Sequence, residues 1–179
     1  MSESSFLNPQ AAILAANISH GSRVADLAAG SGFFTRAAAR IVGPDAPVWA
    51  IDPNQEMLVR LKNLSVSEGL HTIEIARGTP EKLNGTHLPD ATIDFCILAN
   101  ALFSMHDKDT VAKEAYRVLR KAGRLLLIDW SASHGGLGPH EDHIISAAEA
   151  RTIFERAGFT KAEDIPVGGY HWGLILRKK

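Results

Sequence analysis

The 179-residue sequence contains one cysteine, Cys96, which excludes an internal disulfide and a thiolate metal cluster. Charge of either sign is equally lacking in excess, with 19 Lys+Arg against 20 Asp+Glu. No net field therefore draws the chain to nucleic acid or to an anionic membrane surface. Long apolar runs are absent. The amino-terminal stretch Ala11-Ala12-Ile13-Leu14-Ala15-Ala16 has no basic lead and is too short to span a bilayer or to read as a signal peptide. Aromatics make up 7% of the chain, and no fixed-period repeat or low-complexity linker interrupts it. What remains, 45% apolar and 22% charged, is ordinary for a globular domain. The length fits one domain, expected to be soluble and cytoplasmic.

Strand-like and helix-like text alternate along that domain. Dense apolar runs at Arg23–Ala28, Val48–Asp52, Thr72–Arg77, Ile93–Ala99 and Arg124–Asp129 predict strands buried on both faces. Asn8-Pro9 predicts a helix start, with Asn as cap and Pro at the first helical position. Met57, Leu58, Leu61 and Leu64 stripe a second helix, and Val111, Ala115, Val118 and Leu119 stripe another. Ser146 with Glu149 predicts a capping box on a helix that ends at Gly158. Two more strands are expected near Lys161–Val167 and Gly169–Arg177, with Gly168-Gly169 able to turn an antiparallel hairpin. Repeated βα text predicts an α/β fold, a doubly wound, mostly parallel sheet with helices on both faces. Ligands in such sheets bind beyond the carboxyl ends of the strands.

The first strand runs into Gly30-Ser31-Gly32, where glycine permits unusual backbone angles and close approach of a ligand. By itself such a loop is also a plain tight βα turn. The second strand ends at Asp52, whose carboxylate can grip the vicinal hydroxyls of a ribose or can serve as a turn or cap residue before Pro53. Together the two features describe a nucleoside pocket. A dinucleotide fingerprint wants a third glycine at position 35, where the chain has Thr35. Asp26, just upstream of the loop, would repel a pyrophosphate and attract a cationic amino-acid moiety. That charge logic points to S-adenosylmethionine, which carries an ammonium and a sulfonium.

Five segments, in order, resemble motifs of the class I S-adenosylmethionine-dependent methyltransferases. They are Asp26-Leu27-Ala28-Ala29-Gly30-Ser31-Gly32, Ala50-Ile51-Asp52, Ala76-Arg77-Gly78-Thr79-Pro80-Glu81, Ile93 through Asn100, and Arg117 through Arg124. The resemblance runs from about Asn8 to the end of the sequence. It implies a Rossmann-like seven-stranded sheet with an antiparallel last strand. It also implies that Gly30 and Gly32 meet the methionine end of the cofactor, with Asp26 holding its amino group. Asp52 would bind the ribose, Pro53 and Pro80 would flank the adenine, and Asn100 would sit beside the methionine chain. Two positions depart from the family pattern: Ala28 stands where a first glycine is frequent, and Thr79 where an acid often meets the adenine amino group. Transfer would leave S-adenosylhomocysteine as product.

Methyl transfer from a sulfonium asks mainly that the acceptor be held near the methyl group and water excluded. No nucleophilic triad is needed, and catalytic residues are not legible. Candidate acceptor-pocket residues lie beyond the strand ends: Phe103 and His106 in the segment Ala101–Asp107, and Asp129 at the head of a glycine-rich stretch. Residues 1–20 and 129–145 are expected to act as lids over the pocket. His134, His140 and His143 invite a metal reading, but they flank a helix start, and no metal is expected. Cys96 reads as a core thiol. Its isolation argues against an arsenic-methylating enzyme, which relies on several thiols. The length and balanced charge favour a small-molecule acceptor over nucleic acid. The competing readings are a non-catalytic cofactor-binding or partner module and an NAD-type oxidoreductase.

Overall fold

The computed structural model describes residues 6–133, 136 and 138–179, without the side chains of residues 161 and 162. Residues 1–5 of the expected amino-terminal lid, and His134, Gly135 and Leu137 of the expected glycine-rich lid, lie outside the described residues. The chain begins with α1 (Pro9–Ala15), β1 (Val24–Asp26), α2 (Phe33–Val42), β2 (Val48–Asp52), α3 (Gln55–Ser67) and β3 (Ile73–Arg77). It continues through β4 (Ile93–Ala99), α4 (Lys108–Val118), β5 (Leu119–Trp130), α5 (Ala147–Arg156), β6 (Phe159–Ile165) and β7 (His171–Lys178).

Local chemistry sets several boundaries. The Asn8 side chain accepts from the Ala11 amide at 3.1 Å, with Pro9 opening α1. Ser146 and Glu149 form a reciprocal capping box on α5. Gly158 follows the end of that helix at φ +108°, a conformation that favours glycine. Two helical stripes differ from expectation. Leu64 is 45% exposed, and the buried face of α3 is Leu58, Leu61 and Ser65. Leu119 does not belong to α4; it starts β5 and pairs with Ile93, because the helix runs straight into the strand without a loop.

The seven strands form one sheet in the order β3-β2-β1-β4-β5-β7-β6. β1 through β5 pair in parallel, and β7 runs antiparallel to both β5 and β6. The expected antiparallel last strand and the Gly168-Gly169 hairpin are thus one feature, a β6–β7 pair docked with β7 against β5.

Alternation along each strand splits the core into two layers. Phe95, Ile97, Leu126 and Ile128 pack with residues of α1, α2 and α3. Cys96, Leu98, Leu125 and Leu127 point the other way, onto α4 and α5. With both faces covered, the central strands carry apolar side chains at nearly every position, which is why they read as unbroken runs. Among the described residues no helix is long and apolar enough to cross a membrane.

Candidate functional site

Strand order reverses between β1 and β4, so the loops leaving their carboxyl ends part and open a crevice. The loop after β1 is held on both sides. The Leu27 amide donates to the Ile97 carbonyl and the Ala29 amide to the Ile51 carbonyl, each at 2.9 Å. Gly30 and Gly32 then turn the chain at φ +51° and +78°. Their reasons for being glycine differ. A Cβ on Gly30 would project into open space, whereas one on Gly32 would lie 2.0 Å from a Leu61 methyl. Gly30 presents bare backbone to the crevice; Gly32 lets α2 start against α3.

Asp52 ties β2 to this loop. Its carboxylate accepts from the Gly30 amide at 2.9 Å and from the Asn54 amide at 2.8 Å. The cap of α3 is Asn54, which accepts from the Glu56 and Met57 amides. Asp52 is therefore not the helix cap, and each of its oxygens keeps lone-pair capacity for a further donor.

Asp26, the last residue of β1, is only 2% exposed. Burial pushes its carboxyl up to about 6. The Thr35 hydroxyl, donating to it at 2.6 Å, offsets part of the rise, and the Asp52 charge adds to it. Thr35, notable in the sequence only as a missing glycine, is thus the partner of this buried acid.

Two cavities meet at the crevice. The larger, about 530 Å³, is walled by Asp26, Gly30, Phe6, Phe33, Trp130 and His171, among others. The smaller, about 280 Å³, is walled by Asp52, Pro53, Thr79, Pro80 and Glu81. Ala28, Gly30 and Asn100 line both. Asn100 leaves β4 at φ +53° while its amide donates to the Ile128 carbonyl at 2.9 Å. Asparagine tolerates that left-handed geometry better than most residues.

The loop carrying Thr79 and Pro80 is anchored from below by Glu114 of α4. Its buried carboxylate accepts from the amides of Asn84 and Thr86 and from the Thr86 hydroxyl, and it pairs with Arg117 at 2.7 Å. Burial would raise this carboxyl, but those bonds outweigh burial and hold it low. Thr79 is itself engaged, its hydroxyl accepting from the Glu81 amide at 3.2 Å.

Phe103, His106 and Asp129, expected from sequence at an acceptor pocket, do not line the two crevice cavities. Phe103 lines a separate cavity of about 650 Å³ with Lys108, His143, Glu149 and Arg156. His106 is exposed, lines neither crevice cavity, and its amide donates to Glu81 at 2.7 Å. Asp129 is fully buried and acts as a brace, accepting from the amides of Phe103 at 2.9 Å and Trp130 at 2.8 Å. Burial pushes its carboxyl up to about 6. Among the described residues no three His, Cys, Asp or Glu side chains gather as a metal site.

Sequence reasoning missed Trp130 and His171, whose ring centroids lie 4.2 Å apart with the planes tilted by 40°. They are opposite one another in the β5–β7 register. Because β7 is antiparallel, its first residue lies at the same edge as the last residues of the parallel strands. No local motif signals that placement.

A sequence family described as "Methyltransferase domain" matches residues 25–127, more than half of the chain. The chain is 36% identical over 117 residues to the ubiquinone/menaquinone biosynthesis C-methyltransferase UbiE of Haemophilus ducreyi, covering 62% of this chain and 42% of that protein. It spans 41–46% of the length of such curated relatives. A crystal structure of a SAM-dependent methyltransferase from Aquifex aeolicus superposes with TM-score 0.87 at 26% identity, covering 97% of this chain and 91% of that one. The [4+2]-cyclase SpnF superposes with TM-score 0.77 at 16% identity, over 95% of this chain and 80% of its own, a likeness of fold alone.

Proposed function

The chain belongs to the class I S-adenosylmethionine-dependent methyltransferases, and from that membership we propose that it moves a methyl group from this donor to a small molecule held in the larger cavity. The observation that carries the reading is the pair of cavities joined at Gly30 and Asn100, each with one carboxylate on its wall, Asp26 and Asp52.

The residues present fit the donor. Open space before Gly30 leaves room for a ligand against bare backbone, which a side chain would fill. Asp52 ends β2 with free lone pairs on the smaller cavity, suited to two ribose hydroxyls between Pro53 and Pro80. The buried Asp26 carboxyl is held up near 6, and an ammonium in the larger cavity would restore its charge and repay part of its desolvation. Asn100, at the seam, would face the chain that joins the two ends. Ala28 adds one methyl at that seam, and Gly32 serves the packing of α2 on α3.

When bound, the donor supplies a methyl carbon already activated by its sulfonium. The protein's share of the work is then placement. Gly30 and Asn100 would fix the ligand across the seam, while Phe6, Phe33 and Met57 would exclude water from the larger cavity. Residues 6–20, 129–133 and 138–145 would close over it, with Phe6 already against Tyr170 at a ring separation of 5.6 Å.

Calorimetric titration with S-adenosylmethionine and S-adenosylhomocysteine, with NAD as control, tests the proposal. Micromolar binding of the sulfur ligands and none of NAD is the expected result. Binding without turnover across an acceptor screen would favour a non-catalytic module, and binding of NAD alone would overturn the reading.

A further inference from the structure

We propose that His171 is the acceptor-binding residue of the larger cavity, and that it selects an uncharged molecule offering a hydroxyl or N–H donor. The inference rests on the reading of that cavity as the acceptor site.

His171 is 9% exposed, and neither Nδ1 nor Nε2 has a hydrogen-bond partner among the described residues. Among the described residues the other side chain with an orphaned buried nitrogen is Arg36, which still pairs with Glu68 through its guanidinium. His171 is thus the side chain there whose whole polar capacity goes unused. Burying such a group without a bond is unfavourable, so a position that keeps it invites a partner from outside the chain. His171 lines the cavity, and its ring packs against the Trp130 ring at a centroid separation of 4.2 Å.

The charge around it narrows the partner. Burial lowers the imidazole's pKa, so the ring is neutral, with one nitrogen accepting and the other donating. Among the described residues lining this cavity there is no lysine or arginine, and the one ionisable acid is Asp26. A carboxylate or phosphate on the acceptor would find no cation there and would face Asp26. A cationic acceptor would compete for the acid assigned to the donor's ammonium. An uncharged molecule with one polar hydrogen, its body against Phe6, Phe33 and Trp130, satisfies the accepting nitrogen of His171 without unpaired charge. Both nitrogens lie beneath the cavity wall, where Phe6 and Phe33, at 56% and 62% exposure, are the aromatic wall members with room to give.

The test compares four probes of one shape by NMR titration into the protein saturated with S-adenosylhomocysteine: benzyl alcohol, toluene, benzoate and benzylamine. Benzyl alcohol should bind at least about fivefold tighter than the other three, the worth of one hydrogen bond. The ring nitrogen shifts of wild-type His171 should move as it binds. His171→Phe should reduce the alcohol to the level of toluene, and His171→Gln, which keeps a donor and an acceptor, should restore the preference. Both variants should bind S-adenosylhomocysteine as the wild type does. Unmoved nitrogen shifts, an alcohol preference that survives His171→Phe, or tighter binding of benzoate or benzylamine would each overturn the assignment while the cofactor reading stands. A wild-type protein that fails to bind S-adenosylhomocysteine would remove both.

Discussion

At the scale of single residues, Asp26 sets function against stability. Its carboxyl has an ordinary value of 3.8 and is raised to about 6 by burial in the folded chain. Below the ordinary value, folded and unfolded states both hold the proton, and the acid costs nothing. As pH rises from there through about 6, the folded state must give up a proton it holds more tightly, so stability falls and then levels. The penalty at neutral pH is about 3 kcal/mol at one pKa unit per 1.36 kcal/mol. Asp26→Asn should therefore stabilise the ligand-free protein by about 1–3 kcal/mol at pH 7.5, with the gain vanishing toward pH 4. Urea unfolding at the two pH values measures it, and a gain that ignores pH would point away from the buried charge. The same linkage predicts that wild-type affinity for S-adenosylhomocysteine weakens about tenfold per pH unit below 6, and that the variant binds weakly at every pH. The two loop glycines separate in the same spirit. Alanine at either carries a left-handed penalty of about 1–2 kcal/mol. Gly30→Ala should lose ligand affinity beyond that, while Gly32→Ala should lose about 1–3 kcal/mol more of stability by displacing Leu61. Calorimetry and urea midpoints on both variants would tell, and equal behaviour would refute the distinction.

Elements position the site through anchors that local patterning hides. Glu114 sits on α4 among apolar neighbours, and periodicity alone reads it as a polar interruption. In the fold it collects the Asn84 and Thr86 amides, the Thr86 hydroxyl and the Arg117 guanidinium. It thereby holds the loop that carries Thr79 and Pro80. Glu114→Ala should cost about 3 kcal/mol, since it strands buried donors and a partly buried cation. Hydrogen exchange should then rise in residues 79–88 while the amides of β1 and β4 stay protected. Protection of the loop unchanged from wild type would mean that its own turns suffice. Asp129 plays a comparable part for the turn after β4. That explains why a strand-end acid, expected at the acceptor, faces amides instead.

For the whole molecule, the sheet is covered on both faces and the two crevice cavities together draw their walls from the loops after β1, β2 and β4, so a ligand bound across them couples distant parts of the chain. S-adenosylhomocysteine at a hundred times its dissociation constant should stabilise the fold by about 2.7 kcal/mol. For a chain of this size the melting temperature should rise by about 5–10 °C. A thermal scan across ligand concentrations reads this directly, and NAD should leave the midpoint where it was.

By itself the sequence determined the parallel α/β architecture, the glycine loop, and the acids at Asp26 and Asp52, because each is written in neighbouring residues. Apolar runs, cap residues and glycines act over a few positions, and the order of the βα units leaves few topologies. The make-up of the larger cavity was decided by tertiary structure alone. His171 reaches the crevice only because β7 enters antiparallel beside β5, which brings it opposite Trp130. Phe6 reaches it by packing on Tyr170. Phe103 and His106 follow β4 directly, yet the turn there directs them to another cavity and to solvent, while Asp129 on β5 faces backbone amides. Contacts between residues far apart in sequence carry no local periodicity, and burial sets the charge state of Asp26 only once the sheet has closed around it.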